Sequence, residues 1–197
     1  IYATPIQQKV FAPVMAGKDV CGIAQTGTGK TIAYLLPLLR LWQFGSDKTA
    51  SVLILVPTRE LVVQVEESIK KLATYINVRA VGVYGGVNIK TQQSLLAEKT
   101  DIVIGTPGRV YDLALNGSLK FNKIKHLVID EMDELLNLGF RRQLENILNL
   151  LPLKRQTLFF SATLEDEVEN FINENFKFYE KIEAAASGTP LKNITQI

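Results

Sequence analysis

Residues 24–31 read Ala-Gln-Thr-Gly-Thr-Gly-Lys-Thr, and residues 128–131 read Val-Ile-Asp-Glu. Together they point to a nucleoside triphosphate and magnesium. A glycine-rich loop of this kind turns backbone N–H groups inward around phosphate oxygens. Ala24, Gln25, Thr26, Gly27, Thr28 and Gly29 would form that cradle. Lys30 supplies a point charge for the β- and γ-phosphates, and Thr31 a hydroxyl for Mg²⁺. Ala24 stands where such loops usually carry a first glycine; the position needs a small residue, and alanine is small. A plainer reading is a Gly/Thr-rich turn between a strand and a helix. Context weakens it, because Asp19–Ala24 reads as a buried strand and Ile32–Leu36 opens a helical pattern.

Asp130 and Glu131 close a second apolar run. An aspartate there can hold the magnesium shell, and the glutamate beside it can orient or deprotonate a water for in-line attack. An acidic cap on the following helix is the competing explanation, since Glu131, Asp133 and Glu134 all favour a helix N-terminus. Beside a phosphate loop the catalytic reading is the better one. Gln7, in Thr4-Pro5-Ile6-Gln7, offers the donor and acceptor needed to read an adenine edge. Alone, that segment is better read as a helix capped by Thr4 with Pro5 at its first position.

Three further segments follow predicted strands: Pro57-Thr58-Arg59-Glu60-Leu61, Gly85-Gly86 and Thr106-Pro107-Gly108-Arg109. Each is a plain cap or turn if taken singly. Together on one side of a sheet, helix N-termini with hydroxyls and an arginine suit the backbone of a nucleic acid. Ser161-Ala162-Thr163 brings two hydroxyls within reach of the acidic cluster, notably Asp133, or else caps another helix.

These residues need a scaffold. The predicted strands are Val20–Ala24, Val52–Val56, Ala80–Tyr84, Ile102–Ile104, His126–Ile129 and Thr157–Phe160. Most are continuous apolar runs, as in strands covered on both faces. Helical patterns lie between them at Lys30–Leu41, Arg59–Tyr75, Ile89–Glu98, Gly108–Leu115, Met132–Leu138 and Arg141–Leu150, and Leu164–Asn173 follows. The alternation predicts an α/β fold with a doubly wound, mostly parallel sheet and helices on both faces. In such sheets ligands bind at the carboxyl ends of the strands, where every motif above falls.

The 197 residues suit one large domain, and 47% hydrophobic content rules out a disordered chain. No apolar run approaches the ~18 residues of a membrane helix, and the first residues show no signal-peptide pattern. The lone Cys21 is expected to be a small core residue, and the simple setting is cytoplasmic. A net charge of +2 requires any nucleic-acid site to be local.

Taken in order, Thr4–Gln7, Ala24–Thr31, Pro57–Leu61, Gly85-Gly86, Thr106–Arg109, Asp130-Glu131-Met132-Asp133 and Ser161–Thr163 resemble the motif series of the DEAD-box RNA helicases. The resemblance implies the first of two RecA-like domains over residues 1–183, with 184–197 starting an interdomain linker. It implies an RNA-dependent ATPase using ATP and Mg²⁺, with adenine recognition by Gln7 and phosphate binding by the loop and Lys30. Metal coordination would fall to Thr31 and Asp130, and water activation to Glu131. Asp133, Ser161 and Thr163 would couple hydrolysis to strand separation. Thr58, Arg59, Gly86, Thr106, Gly108 and Arg109 would contact the RNA backbone.

Three departures qualify this. Met132 replaces the family's alanine, and its side chain is expected to point away from the phosphates. The aromatic residues that flank adenine in the family lie further upstream than this sequence reaches. The family's His-Arg-x-Gly-Arg motif, which carries the arginine finger, is not found: the single histidine, His126, reads as a strand residue near the sheet edge. A non-catalytic ATP-gated RNA clamp is a second reading, opposed by Glu131. A DNA helicase or protein translocase is a third, opposed by Thr-Pro-Ile-Gln and Pro-Thr-Arg-Glu-Leu.

Overall fold

Short apolar runs that bury both faces need cover from two sides, and here they receive it. The computed structural model describes residues 2–42 and 49–184. Strands β1 (Val20–Ile23), β2 (Val52–Leu55), β3 (Ala80–Val83), β4 (Ile102–Gly105), β5 (His126–Ile129), β6 (Gln156–Ser161) and β7 (Glu180–Glu183) form one sheet. The order is β3-β4-β2-β5-β6-β1-β7, seven strands, and every pairing is parallel.

Alternation along each strand splits the core in two. Leu53, Leu55, Leu127, Ile129 and Phe159 face one side, where helices α5 (Pro107–Leu115), α6 (Met132–Asn137), α7 (Arg141–Leu150) and α8 (Asp166–Asn175) lie. Val52, Ile54, Val128, Leu158 and Phe160 face the other, covered by α1 (Pro5–Met15), α2 (Lys30–Leu41) and α3 (Arg59–Leu72). Helix α4 (Ile89–Ala97) packs beside β3 and sends Leu96 into the first of these cores.

The doubly wound sheet is as expected, except that every strand is parallel. Strand β7 was not foreseen. It pairs with β1, Val20 opposite Glu180, and buries only Ile182 of its four residues. Helix α3 stops at Leu72 rather than Tyr75, and α8 starts at Asp166 rather than Leu164. His126 opens the middle strand of the sheet, so it stands at the end of a strand but not on an edge strand. Its Nδ1 meets Gln156 Oε1 at 3.0 Å. Cys21 is buried, and burial pushes its thiol up to about 11, as befits a core residue. Met132 is fully buried in the core beneath α5–α8. Ala184 N–H donates to Ile23 O at 3.1 Å, continuing the β7 pairing; the remainder of the predicted linker lies outside the described residues. Among the described residues no helix is long and apolar enough to cross a membrane.

Candidate functional site

Because the strands run parallel, their carboxyl ends share one edge, and the sheet order sorts what stands there. Strands β3, β4 and β2 end in Gly85-Gly86, Thr106–Arg109 and Pro57–Arg59. Strands β5, β6 and β1 end in Asp130-Glu131, Ser161–Thr163 and the glycine-rich loop. The triphosphate candidates thus occupy one half of the edge and the nucleic-acid candidates the other.

In the loop, Gly27 and Gly29 take left-handed φ values of 82° and 88°. Gly29 is the N-cap of α2, and a Cβ there would run into the Gln7 amide. Only glycine meets both demands. Thr28 Oγ1 donates to Gln25 O at 2.6 Å and closes the turn. Gln7 sits on α1, which opens at Pro5 with Thr4 as N-cap. Its Oε1 accepts from Thr4 N–H at 3.0 Å, and its Nε2 donates to Gly29 O at 3.3 Å. The helix-capping reading of Gln7 does not exclude the site reading: the cap orients the amide, and the amide touches the loop. One lone pair and one N–H of that amide stay available, the pair an adenine edge requires.

Lys30 is the centre of the constellation. It is 6% exposed, and its Nζ has no hydrogen-bond partner. A buried ammonium without acceptors is costly unless something anionic fills the space before it. Its field reaches Asp130 and Glu131. Asp130 is 5% exposed; burial holds its carboxyl above the usual range, although Lys30 pulls the other way. Burial, then the neighbouring Asp130, raises Glu131 as well.

Glu131 is the one non-glycine residue with positive φ among the described residues, at 50°. Such a conformation costs on the order of 1–3 kcal/mol and persists where surroundings over-determine it. Here the Glu131 N–H donates to Asp130 Oδ1 at 2.9 Å. The turn leaves the Glu131 side chain partly exposed while Met132 goes to the core. Thr31 and Asp130 are oxygen donors of the hard type magnesium selects. No group of three or more His, Cys, Asp or Glu residues is placed to hold a metal ion among the described residues. An ion held by these two would draw the rest of its shell from phosphate and water, which suits magnesium.

Ser161 and Thr163 reach the acidic cluster. Ser161 Oγ accepts from Asp133 N–H at 3.3 Å. Asp133 Oδ2 accepts from Ala162 N–H, Thr163 N–H and Thr163 Oγ1 at 3.1, 3.2 and 3.3 Å. The triplet does not cap α8, whose N-cap is Glu165.

On the other half, Thr58 caps α3 by accepting from Leu61 N–H at 3.3 Å. Thr106 is the N-cap of α5 with its hydroxyl uncommitted to a cap. Gly86 has φ of 80°, and a Cβ on Gly85, Gly86 or Gly108 would meet nothing within 4 Å. The Arg59 side chain is exposed and lies over the Tyr84 ring, 5.0 Å from its centroid. Arg109 turns inward: Nη1 donates to Gln92 Oε1 at 2.7 Å and Nη2 to Val87 O at 3.0 Å.

Sequence reasoning missed two residues. Tyr34 is fully buried against Phe160, and its hydroxyl lies beside Asp130 and Thr31 without a hydrogen bond of ordinary geometry. Its position one helical turn after Lys30 was the available signal. Gln92 had none, since its partners come from elsewhere in the chain.

Comparison with known proteins places the chain. The DEAD/DEAH box helicase model matches residues 4–171. The chain is 40% identical over 191 residues to ATP-dependent RNA helicase DbpA of Bacillus subtilis, covering 97% of this chain and 40% of that protein. It is 45% identical over 174 residues to ATP-dependent RNA helicase CshA of Listeria monocytogenes, covering 88% and 33%. A solved DEAD box protein from Methanococcus jannaschii superposes with a TM-score of 0.87 at 36% identity, covering 92% of this chain and 50% of that one. The chain thus spans well under half the length of these curated relatives.

Proposed function

Because the chain belongs to the DEAD/DEAH box helicase family, we propose that it is the ATP-binding domain of an ATP-dependent RNA helicase. In this reading, hydrolysis is coupled to RNA binding and local unwinding. The observation that carries the nucleotide half is the buried, unpartnered Lys30 ammonium beside Asp130 and Glu131. A triphosphate supplies the missing anion. Loop N–H groups and Lys30 hold the phosphates, and Gln7 reads the adenine edge. Thr31 and Asp130 would hold magnesium, which when bound offsets charge on the phosphate oxygens. Glu131 accepts a proton from the attacking water; its raised pKa makes it a better base than an exposed carboxylate.

RNA lies along the other half of the edge, its backbone against Thr58, Arg59, Gly86, Thr106 and Gly108, with Arg109 behind the loop. Asp133 bonded to Ser161–Thr163 carries changes at Asp130-Glu131 into β6. The chain contributes one wall of the catalytic site. A second RecA-like domain closing over ATP and RNA supplies the other, with an arginine finger worth on the order of 10³–10⁵ in rate.

The test is ATP turnover by residues 1–197 beside the full-length protein, each with RNA, DNA or no nucleic acid. The expected result is turnover barely above background for the domain and RNA-stimulated turnover for the whole. Robust RNA-stimulated hydrolysis by residues 1–197 alone overturns the half-site reading. Equal stimulation by DNA overturns the RNA assignment, since discrimination rests on 2′-hydroxyl contacts.

A further inference from the structure

We propose that Gln92 and Arg109 form an internal brace that positions the Gly85-Gly86 loop, and that both serve the RNA track by position rather than by contact. This rests on the RNA reading of that edge. Gln92, on α4, is 4% exposed, and a side-chain amide so buried must have its polar atoms satisfied. They are: Oε1 accepts from Arg109 Nη1 at 2.7 Å, and Nε2 donates to Tyr84 O at 3.1 Å. Arg109 then reaches past it to Val87 O at 3.0 Å. The two carbonyls flank the glycine pair on either side.

The glycines themselves are exposed, and a Cβ on either would touch nothing. The pair therefore has no side-chain anchor, and its shape comes from the held carbonyls at Tyr84 and Val87. The residue whose carbonyl Gln92 holds, Tyr84, also carries the ring on which Arg59 lies. One buried amide thus links the end of β3, the start of α4 and the first turn of α5, tying three segments of the proposed track. Arg109 spends guanidinium nitrogens on two internal acceptors, one a neutral amide and one a carbonyl. Lysine cannot span both, because a single ammonium lacks the planar fork.

Salt dependence separates position from contact. Each cationic phosphate contact on a single strand contributes about 0.7 to the slope of log K against log salt. A brace residue changes affinity and leaves that slope alone. The experiment measures RNA affinity of the full-length protein over a salt series, with several RNA sequences, for wild type, Gln92→Met and Arg109→Lys. ADP affinity and Tm are read in parallel.

The expected result is a roughly tenfold or greater loss for both variants, equal across sequences, with slope and ADP affinity as in wild type. Arg59→Ala, the contact control, lowers the slope by about 0.7. Wild-type RNA affinity in folded Gln92→Met or Arg109→Lys overturns the brace. So does an Arg109→Ala variant whose slope falls by about 0.7, for that marks a direct phosphate contact. Should Gln92→Met fail to fold, Arg109→Lys decides alone. A wild-type protein that binds no RNA sinks the reading of the edge itself, an outcome distinct from wild-type binding with indifferent variants.

Discussion

The two halves of the strand-end edge are built on opposite physical terms. Around β1 and β5 the groups are charged, and Lys30 and Asp130 are buried. Lys30 lacks a partner, burial raises the Asp130 and Glu131 carboxyls, and Glu131 holds a left-handed backbone. Around β3, β4 and β2 the polar groups that shape the surface are mostly satisfied from within. Thr58 accepts from its own helix, and Arg109 and Gln92 hold loop carbonyls. The first half holds interactions that are unfavourable in the ligand-free fold. The second presents a preformed, largely neutral backbone surface. Substitutions in the first should therefore change chemistry and apo stability, and substitutions in the second should change affinity in modest, sequence-independent steps.

The largest expected effect is on turnover. Glu131→Gln in the full-length protein keeps ATP binding and loses about 10²–10⁴ in hydrolysis rate, the usual worth of a general base. Wild-type turnover in that variant would remove Glu131 from the chemistry. Next comes Arg59→Ala, which should weaken RNA binding about tenfold or more, equally across sequences, if its guanidinium makes one charge-assisted bond to phosphate. Competition binding with unrelated RNAs checks it. A loss confined to one sequence would mean base readout and would erase the contrast between the halves.

Legibility in the sequence divides along similar lines. Apolar runs such as Val52–Leu55 announced their strands because burial on both faces leaves a continuous hydrophobic signature. Strand β7 left none: Glu180, Lys181 and Glu183 flank a single buried Ile182, and its pairing depends on β1 being next to it. The glycine-rich turn was legible because its conformation is local: Gly27 and Gly29 take left-handed φ values within eight consecutive residues. The Asp133–Ser161–Thr163 bonds were legible once both segments were placed at strand ends. Glu131's left-handed backbone was not, since glutamate has no local preference for it. The inward turn of Arg109 depends on Gln92, 17 residues earlier on another helix, and no spacing rule reports such a pair.

A smaller effect concerns nucleotide choice. Gln7→Ala should narrow the preference for ADP over GDP, because the donor–acceptor order of the two rings is reversed. The same change removes the bond to Gly29 O. Calorimetric titration with both nucleotides decides it, and equal binding of ADP and GDP by wild type would end the adenine role.

The smallest concerns apo stability against pH. Burial raises the folded-state pKa of Asp130 above its ordinary 3.8, so the folded chain binds more protons than the unfolded one above that value. Stability attached to this group is present below the unfolded pKa and is lost as pH rises through the folded one. Asp130→Asn should therefore match wild type in acid and exceed it at neutral pH in ligand-free thermal melts. A variant less stable than wild type at neutral pH would show that Asp130 is an anion the apo fold needs.

The central claim is that the strand ends of β1 and β5 are an anion site whose ligand is a nucleoside triphosphate. Calorimetric titration of magnesium-ATP into wild type and Lys30→Met tests it most directly, with Tm confirming that the variant folds. Methionine keeps the buried stem of Lys30 and removes only the charge. The account predicts a folded variant whose ATP affinity falls at least tenfold; a folded variant that binds ATP as tightly as wild type would contradict it.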